Sequence, residues 1–254
     1  MNDTEPRFSL VAGEGDGAML GMVAGDTAGG SWELGYSAVT EQTTVVAYHL
    51  IEHGRIQPQS LVAAIRELDG STDEEPVYRA ESPQFRAWLD ATTDGGLAQS
   101  APSLDGAPRA VPLGVVFRRE PDVLREQGLI LGKLFHSDPA SILAGMVSAG
   151  AVAASCFGQS GRDLIAGVVE MIEPASPLIG SSPDDAQVGE LVEELRSLRS
   201  HVGVEEGPEA LSLASSDATP GEWDKLKAGL LLAAPIVERP HVPIEQAAKI
   251  GGSA

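Results

Sequence analysis

The sequence predicts an all-α protein, a compact multi-helix bundle, because apolar residues recur at helical spacing, aromatic residues are few and no segment alternates at the period of a β-strand. Of the 254 residues, 43% are hydrophobic and only 4% are aromatic. Strands usually carry aromatic and β-branched residues, whereas abundant Ala, Gly, Leu and Val suit closely packed helices. We therefore expect one helical domain spanning residues 1–254.

Capping and turn residues mark the ends of several predicted helices. Ser82 with Pro83, and Ser137 with Asp138 and Pro139, predict an N-cap followed by a first turn. Gly54 and Gly158 predict helix ends. The segment 203–221, rich in Ser, Pro, Gly and Glu, is expected to be a surface loop. The helices are predicted at residues 17–30, 39–53, 58–69, 83–93, 121–135, 138–157, 160–173, 186–200 and 222–234.

Four glycines, Gly17, Gly21, Gly25 and Gly29, repeat every four residues on the first predicted helix. Such a repeat leaves a bare face that lets another backbone approach closely. The alternative, a phosphate-binding loop, lacks GxxxxGK[ST] and lacks a strand followed by GxGxxG. We therefore expect the glycine face to be buried at the centre of the bundle, where a large side chain at Gly21 would overpack it.

Charge and cysteine content exclude several classes of protein. Lys and Arg number 17 against 37 Asp and Glu, and the net charge of −20 would repel a nucleic-acid backbone. The one cysteine, Cys156, excludes an intramolecular disulfide framework and is expected to be a small buried hydrophobe. The N-terminus lacks a signal-peptide pattern, and no run approaches the roughly 20 apolar residues of a membrane span. We expect a cytoplasmic protein without a membrane partner, and the sequence leaves its protein partners open.

Two histidines, His49 and His53, lie four residues apart on a predicted helix, a spacing that lets two imidazoles share a metal. The residues between them do not make an HExxH zinc motif. Because Gly54 marks the helix end, the favoured interpretation is a surface position that suits the helix dipole.

Four segments, in order, carry a family resemblance. Residues 17–30 read GAMLGMVAGDTAGG, residues 40–43 read TEQT, residues 103–114 read SLDGAPRAVPLG, and residues 135–139 read FHSDP. They resemble the GAllGlavGDalGa, TDDT, GNGAAMRIAPLG and TH-x-[DH]-P segments of the ADP-ribosylglycohydrolase family, of the dinitrogenase-reductase-activating type. The resemblance covers about residues 17–158.

The resemblance implies an all-helical hydrolase that removes ADP-ribose from a modified acceptor with the help of two Mg²⁺ ions. Hard cations suit carboxylate and hydroxyl ligands and activate water. Glu33 matches the glutamate of the family's P-x-E-F segment, which can act as a base, and Glu33 and Glu41 are the implied catalytic residues. The implied ligands of the first cation are Thr40, Glu41 and Gln42, and the implied ADP-ribose contacts are Ser103, Asp105, Gly106 and His136.

The sequence departs from the family pattern at the first cation site and at the nucleotide turn. Gln42 is neutral where the family has a carboxylate, which removes one negative charge from the cation site. An equally weighted interpretation makes Thr40 a helix cap and Glu41 an ordinary first-turn residue. Leu104 and Asp105 replace an Asn-Gly pair, and an aspartate facing a pyrophosphate would repel it.

Residues 245–254 resemble the run into the family's second cation motif, GGDxDT, with Ser253 at its first Asp. We therefore expect a degenerate or C-terminally truncated member of the family that binds Mg²⁺ weakly or not at all. Its expected function is that of an ADP-ribosyl hydrolase with impaired catalysis. The alternative is an inactive ADP-ribose-binding or regulatory protein.

Overall fold

The structure, a computed structural model, describes residues 14–29, 36–69, 78, 81–92, 102–179, 186–203, 212 and 221–234. Within these ranges the regular elements are helices, and the all-α prediction is confirmed. Two short 3₁₀ helices lie at Glu173–Ala175 and Leu198–Ser200. The α-helices are α1 (Glu14–Gly29), α2 (Ala38–His53), α3 (Pro58–Asp69), α4 (Pro83–Ala91), α5 (Gly106–Arg109), α6 (Val111–Val116), α7 (Pro121–Phe135), α8 (Pro139–Cys156), α9 (Gly161–Ile172), α10 (Ser176–Ile179), α11 (Ala186–Ser197) and α12 (Glu222–Ala233).

Helix α8 is the centre of the bundle and packs against α5, α6, α7 and α9. Its 18 residues, with a mean hydropathy of 1.5, are long and apolar enough to cross a membrane, contrary to the expectation that no such run exists. However, 61% of the helix is buried inside the bundle, as in the core helix of a globular protein. Ile142, Met146, Ala149 and Ala153 recur at helical spacing and form a buried stripe on α8, whereas Phe157, just beyond the helix end, is 57% exposed.

Local capping residues set the helix ends much as predicted. The Asp138 carboxylate accepts the Ser141 N–H at 2.9 Å, with Pro139 in the first turn of α8. Ser82 Oγ accepts the Phe85 N–H at 3.1 Å at the start of α4. Gly54 ends α2 with φ of 71°, a left-handed conformation that favours glycine.

The cap of α2 differs from the predicted one. Ser37, rather than Thr40, is the N-cap, and its Oγ accepts the Val39 N–H at 3.2 Å. Thr40 lies inside the first turn, where its hydroxyl is used in a contact with α1. Its side chain therefore serves tertiary packing and not the helix end.

The predicted glycine face of α1 is wrong. Gly17 and Gly21 are exposed, and a Cβ at either position would meet no atom within 4 Å. The buried side of α1 instead carries Met22, Gly25 and Asp26. Hydrogen bonds determine which side of α1 faces inward, because the Asp26 carboxylate must point into the protein to reach its donors, Ser37 and Thr40, at the start of α2. The surroundings of Gly29 lie outside the described residues.

Close backbone approach occurs around α8 instead. A Cβ at Gly114 would collide with the Ala149 carbonyl oxygen, where α6 crosses α8. A Cβ at Gly145 would lie 3.1 Å from the Gly106 carbonyl oxygen, where α5 meets α8. Helices α5, α6 and α10 were not among the predicted helices, because they are too short for helical periodicity to be recognised.

Four of the few aromatic side chains form one continuous wall beside α7. Tyr78 meets Phe85 edge-on at 5.0 Å between ring centroids, Phe85 stacks on Trp88 at 5.9 Å, and Trp88 contacts Phe135 at 4.5 Å. Trp88 Nε1 donates to the Leu134 carbonyl at 3.1 Å, which satisfies its polar atom inside the core. This wall supports one side of the site described below.

Two side chains are placed differently from their predicted environments. Cys156 is half-buried, because it is the last residue of α8 and lies near the edge of the core. His49 is 4% exposed, so its predicted surface position is wrong. Its Nε2 accepts the Gln57 N–H at 3.1 Å and links α2 to the start of α3. Its ring lies 4.4 Å from the His53 ring.

Substitutions at the tightly packed Gly114 and at the exposed Gly21 test the observed helix packing against the predicted glycine face of α1. We expect Gly114→Ala to lower the free energy of unfolding by about 1–3 kcal/mol, because α6 and α8 must move apart. Gly21→Ala is the matched control and should raise it by up to about 1 kcal/mol, since alanine favours an exposed helical position. Urea unfolding measures both, and a destabilised Gly21→Ala variant with an unaffected Gly114→Ala variant would contradict this packing.

The environment of His49 predicts a pH dependence of stability. Burial lowers the pKa of His49, the neighbouring His53 lowers it further, and Glu52 partly opposes the shift. The unfolded chain therefore binds more protons than the folded chain near and below the ordinary pKa of about 6.5. The contribution of His49 is fully present above that pH and is lost as the pH falls through the lowered folded-state pKa.

We expect a His49→Gln variant, which keeps an acceptor for the Gln57 N–H, to lose less stability than the native chain on acidification. Urea unfolding between pH 7.5 and pH 5 would measure the difference, with the pH range chosen to span the ordinary histidine pKa of about 6.5. Parallel stability curves for the two proteins would contradict the placement of His49.

Candidate functional site

Arg109, the last residue of α5, is the buried centre of the site. Its side chain is 2% exposed, and its guanidinium carbon lies 4.3 Å from the ring centroid of Phe135 and 5.7 Å from that of Phe85. Burial lowers the pKa of Arg109 to about 10, although Asp105 and Tyr78 partly oppose the shift. The guanidinium therefore remains charged at neutral pH, inside the protein.

The polar contacts of Arg109 join three separate parts of the chain. Its Nε donates to Gln42 Oε1 at 2.5 Å, from the first turn of α2. One terminal nitrogen lies 3.5 Å from His136 Nε2, between α7 and α8, and the other lies 3.6 Å from Asp105 Oδ2. Three of the four predicted site segments, around residues 42, 105 and 136, thus meet at one guanidinium.

Gln42 is fully buried, and only one of its two polar side-chain atoms has a hydrogen-bond partner among the described residues. Oε1 accepts from Arg109, whereas Nε2 has no hydrogen-bond partner among the described residues. A guanidinium has donors only, so this orientation of the amide is the favourable one. An unpaired buried donor costs about 1–3 kcal/mol, so its presence requires an explanation, such as a ligand or a water molecule that accepts from it.

The turn before α5 brings together the other predicted ligand contacts. Asp105 Oδ2 accepts the Ser82 hydroxyl at 2.8 Å and faces Arg109, so its charge is turned toward a cation. Ser103 Oγ accepts the Asp105 N–H at 3.3 Å. A Cβ at Gly106 would lie 3.2 Å from the Ser141 carbonyl oxygen and 3.5 Å from His136 Nε2. Glycine therefore allows the turn to lie against the start of α8.

His136 lies in extended backbone immediately after α7 and is 1% exposed. Its Nε2 faces both Arg109 and the backbone of Gly106. The structure thus places His136 beside the 103–106 turn, as the resemblance implies, but inside the protein.

Thr40 makes its contacts on another side of α2. Its hydroxyl donates to Asp26 Oδ2 at 2.7 Å, while the Ser37 hydroxyl donates to Asp26 Oδ1 and the Ser37 N–H to Oδ2, both at 2.8 Å. Asp26 is 1% exposed. Its negative charge lies at the N-terminus of α2, where the helix dipole is favourable to an anion.

The three residues implied as ligands of the first cation have different partners. Thr40 contacts Asp26, and Gln42 contacts Arg109. Burial and the charge of Asp69 raise the pKa of Tyr78, and the charge of the partly buried Glu41 raises it further. Gln42 Oε1, the oxygen that a cation would need, is already engaged by a positively charged group. No cluster of three or more His, Cys, Asp or Glu side chains suited to a metal occurs in the described part of the chain. These donors do not fit a divalent cation at this turn. Glu33 and residues 245–254, including Ser253, lie outside the described residues.

Sequence reasoning singled out neither Arg109 nor Asp26. Both belong to segments that carry the family resemblance, but each was treated there as part of a pattern. A usable signal was present, because a single charged residue in the apolar stretches 17–29 and 106–117 must be paired when those helices are buried.

Comparison with known proteins identifies one family. The family model described as ADP-ribosylglycohydrolase matches residues 15–237 of the chain. No curated protein matches the chain.

The Asp26 contacts predict a strong stability effect. We expect Asp26→Asn to lower the free energy of unfolding by about 2–4 kcal/mol, because an amide N–H would face the donors of Ser37 and Thr40. Asp122→Asn is the matched control, since the Asp122 side chain is 91% exposed and pairs with Arg125 at the surface. The control should change stability by less than about 1 kcal/mol. Equal effects in the two variants, measured by urea unfolding, would contradict a buried role for Asp26.

Proposed function

Because the chain belongs to the ADP-ribosylglycohydrolase family, we propose that it recognises ADP-ribose attached to an acceptor and that its hydrolytic activity is impaired. One observation carries the proposal, namely the Arg109 cluster. It joins the segments around Gln42, Asp105 and His136, which are the segments that the family resemblance implies for cation and ligand binding. Their convergence supports a retained ligand site, and the neutral Gln42 supports weakened hydrolytic chemistry.

The 103–106 turn supports recognition of ADP-ribose. Gly106 has no side chain, so the turn lies against the start of α8 and beside His136, which keeps the implied ligand contacts together. The Asp105 carboxylate is oriented toward Arg109 and Ser82, which lessens its repulsion of a pyrophosphate. His136, next to Gly106, supplies an imidazole that can exchange hydrogen bonds with a ligand once the turn rearranges.

The first turn of α2 supports the loss of turnover. Family membership suggests a metal cofactor in general, and Mg²⁺ is the ion that the resemblance implies. Here Gln42 provides no negative charge, and its oxygen is held by Arg109. The loss of one positioned charge can remove several kcal/mol of transition-state stabilisation, and each 1.36 kcal/mol is tenfold in rate.

An inactive ADP-ribose-binding or regulatory protein is the second candidate function. The Gln42–Arg109 hydrogen bond favours it, because a side chain at an implied cation-ligand position makes an internal structural contact. Both candidates predict binding of ADP-ribose without detectable release, so an assay that follows binding and release together separates them from an active hydrolase.

We expect the full chain to bind ADP-ribose but to release none, above the detection limit, from ADP-ribosylated arginine, serine or thymidine. Calorimetry measures binding, and chromatography of free ADP-ribose measures release, both with added Mg²⁺ or Mn²⁺. Several weakened contacts at the first cation position account for the expected lack of release.

Glu41→Gln is the control for this assay, since it removes the one carboxylate that remains among the three implied cation ligands. Metal-dependent release by the native chain that disappears in this variant would overturn the impaired-hydrolase proposal. A chain that neither binds nor releases ADP-ribose would refute ligand recognition altogether.

A further inference from the structure

The amide of Gln42 presents a fixed donor within the site. Its Oε1 is held by Arg109, so its Nε2 must be directed elsewhere, and no described residue accepts from it. The opposite orientation would set amide N–H groups against the guanidinium N–H groups. The unpaired atom is therefore an N–H donor, and it is completely shielded from solvent by the chain.

The charge of Arg109 determines what Gln42 can bind. A divalent cation at this turn would need Gln42 Oε1 and would then stand beside a like charge in a buried environment. A ligand oxygen, unlike a cation, is attracted by the positive charge of Arg109. It accepts from Gln42 Nε2, and the positive field of Arg109 stabilises its lone pairs.

The surrounding carboxylates restrict the class of oxygen. Asp105 lies 3.6 Å from Arg109 and already opposes its charge, and Glu41 is the neighbour of Gln42 along α2. An anionic ligand oxygen at this position would meet repulsion from the Asp105 carboxylate. A hydroxyl oxygen brings lone pairs without a net charge.

We propose that Gln42 and Arg109 form a hydrogen-bond donor site that excludes a divalent cation from the first turn of α2. When the turn before α5 rearranges and uncovers the Gln42 amide, the site takes a neutral ligand oxygen, a ribose hydroxyl, directly. The identity of the ligand rests on the proposed recognition of ADP-ribose. The exclusion of the cation rests on the contacts of Gln42 alone.

The first experiment uses Mn²⁺ alone, followed by electron paramagnetic resonance on the full chain. It compares the native protein with Gln42→Asp and Gln42→Asn, two variants of equal size that differ by one charge. We expect no Mn²⁺ binding up to about 1 mM by the native chain or by Gln42→Asn, and binding at least about tenfold tighter by Gln42→Asp. Circular dichroism checks that each variant is folded. Mn²⁺ binding by the native chain in this range, or equal behaviour of the two variants, would overturn the proposal.

The second experiment measures ADP-ribose binding by calorimetry, with EDTA or with Mg²⁺, for the native chain and for Gln42→Glu. Glutamate keeps the length of the side chain and an acceptor for Arg109 but removes the N–H donor. We expect native affinity to be the same in EDTA and in Mg²⁺, and to fall about tenfold in Gln42→Glu, as for the loss of one hydrogen bond.

The outcomes separate the two proposals. Native binding that requires Mg²⁺, or that is unchanged in Gln42→Glu, would overturn the donor site and leave ADP-ribose recognition standing. No binding of ADP-ribose under any condition would refute the proposed function and the hydroxyl ligand, and the Mn²⁺ comparison would then decide whether Gln42 and Arg109 exclude a cation.

Discussion

The structure of the site depends on one buried positive charge. A guanidinium can remain inside a protein only when aromatic faces, acceptors and an opposing charge replace the water it has lost. Arg109 obtains these from Phe135, Gln42 and Asp105. Because the three partners belong to different helices or turns, satisfying this one group also assembles α2, α5 and the α7–α8 connection around it. Stability and site geometry therefore have a common cause.

The first turn of α2 is held on two sides. Two residues along a helix turn the side chain by about 200°, so Thr40 and Gln42 project in nearly opposite directions. Thr40 meets Asp26 on α1, and Gln42 meets Arg109 on α5. In sequence this segment resembles a cation-binding motif. In the structure its hydroxyl and amide groups fasten α2 between its neighbours.

Much of the fold was predictable because helix ends depend on local chemistry. Ser82, Asp138 and Gly54 act at the positions where the sequence placed them, since a cap needs only the next few residues. The glycine repeat of α1 misled the prediction, because spacing alone does not reveal which side of a helix faces inward. That side was decided by Asp26 and its donors on another helix.

The site was predictable only in part, for a related reason. The resemblance selected Gln42, Asp105, Gly106 and His136, and the structure brings these residues together. The group that joins them was missed, since the hydrogen bond between Gln42 and Arg109 spans 67 positions along the chain. No local pattern reports a contact of that range, and only the need to pair a buried charge would have indicated it.

The glycine contact between α5 and α8 has a consequence for how such a site can diversify. The Gly106 carbonyl lies where a side chain on Gly145 would otherwise be, so main chain rests directly on main chain with no rotamer between them. Substitutions in the core cannot shift this main-chain contact by small steps, because no side chain lies between the two backbones that could be replaced by a smaller or larger one. Substitutions that leave the two helices in place are then confined to the outer positions of the turn, such as Ser103 and Leu104, while the main-chain contact beneath them stays fixed.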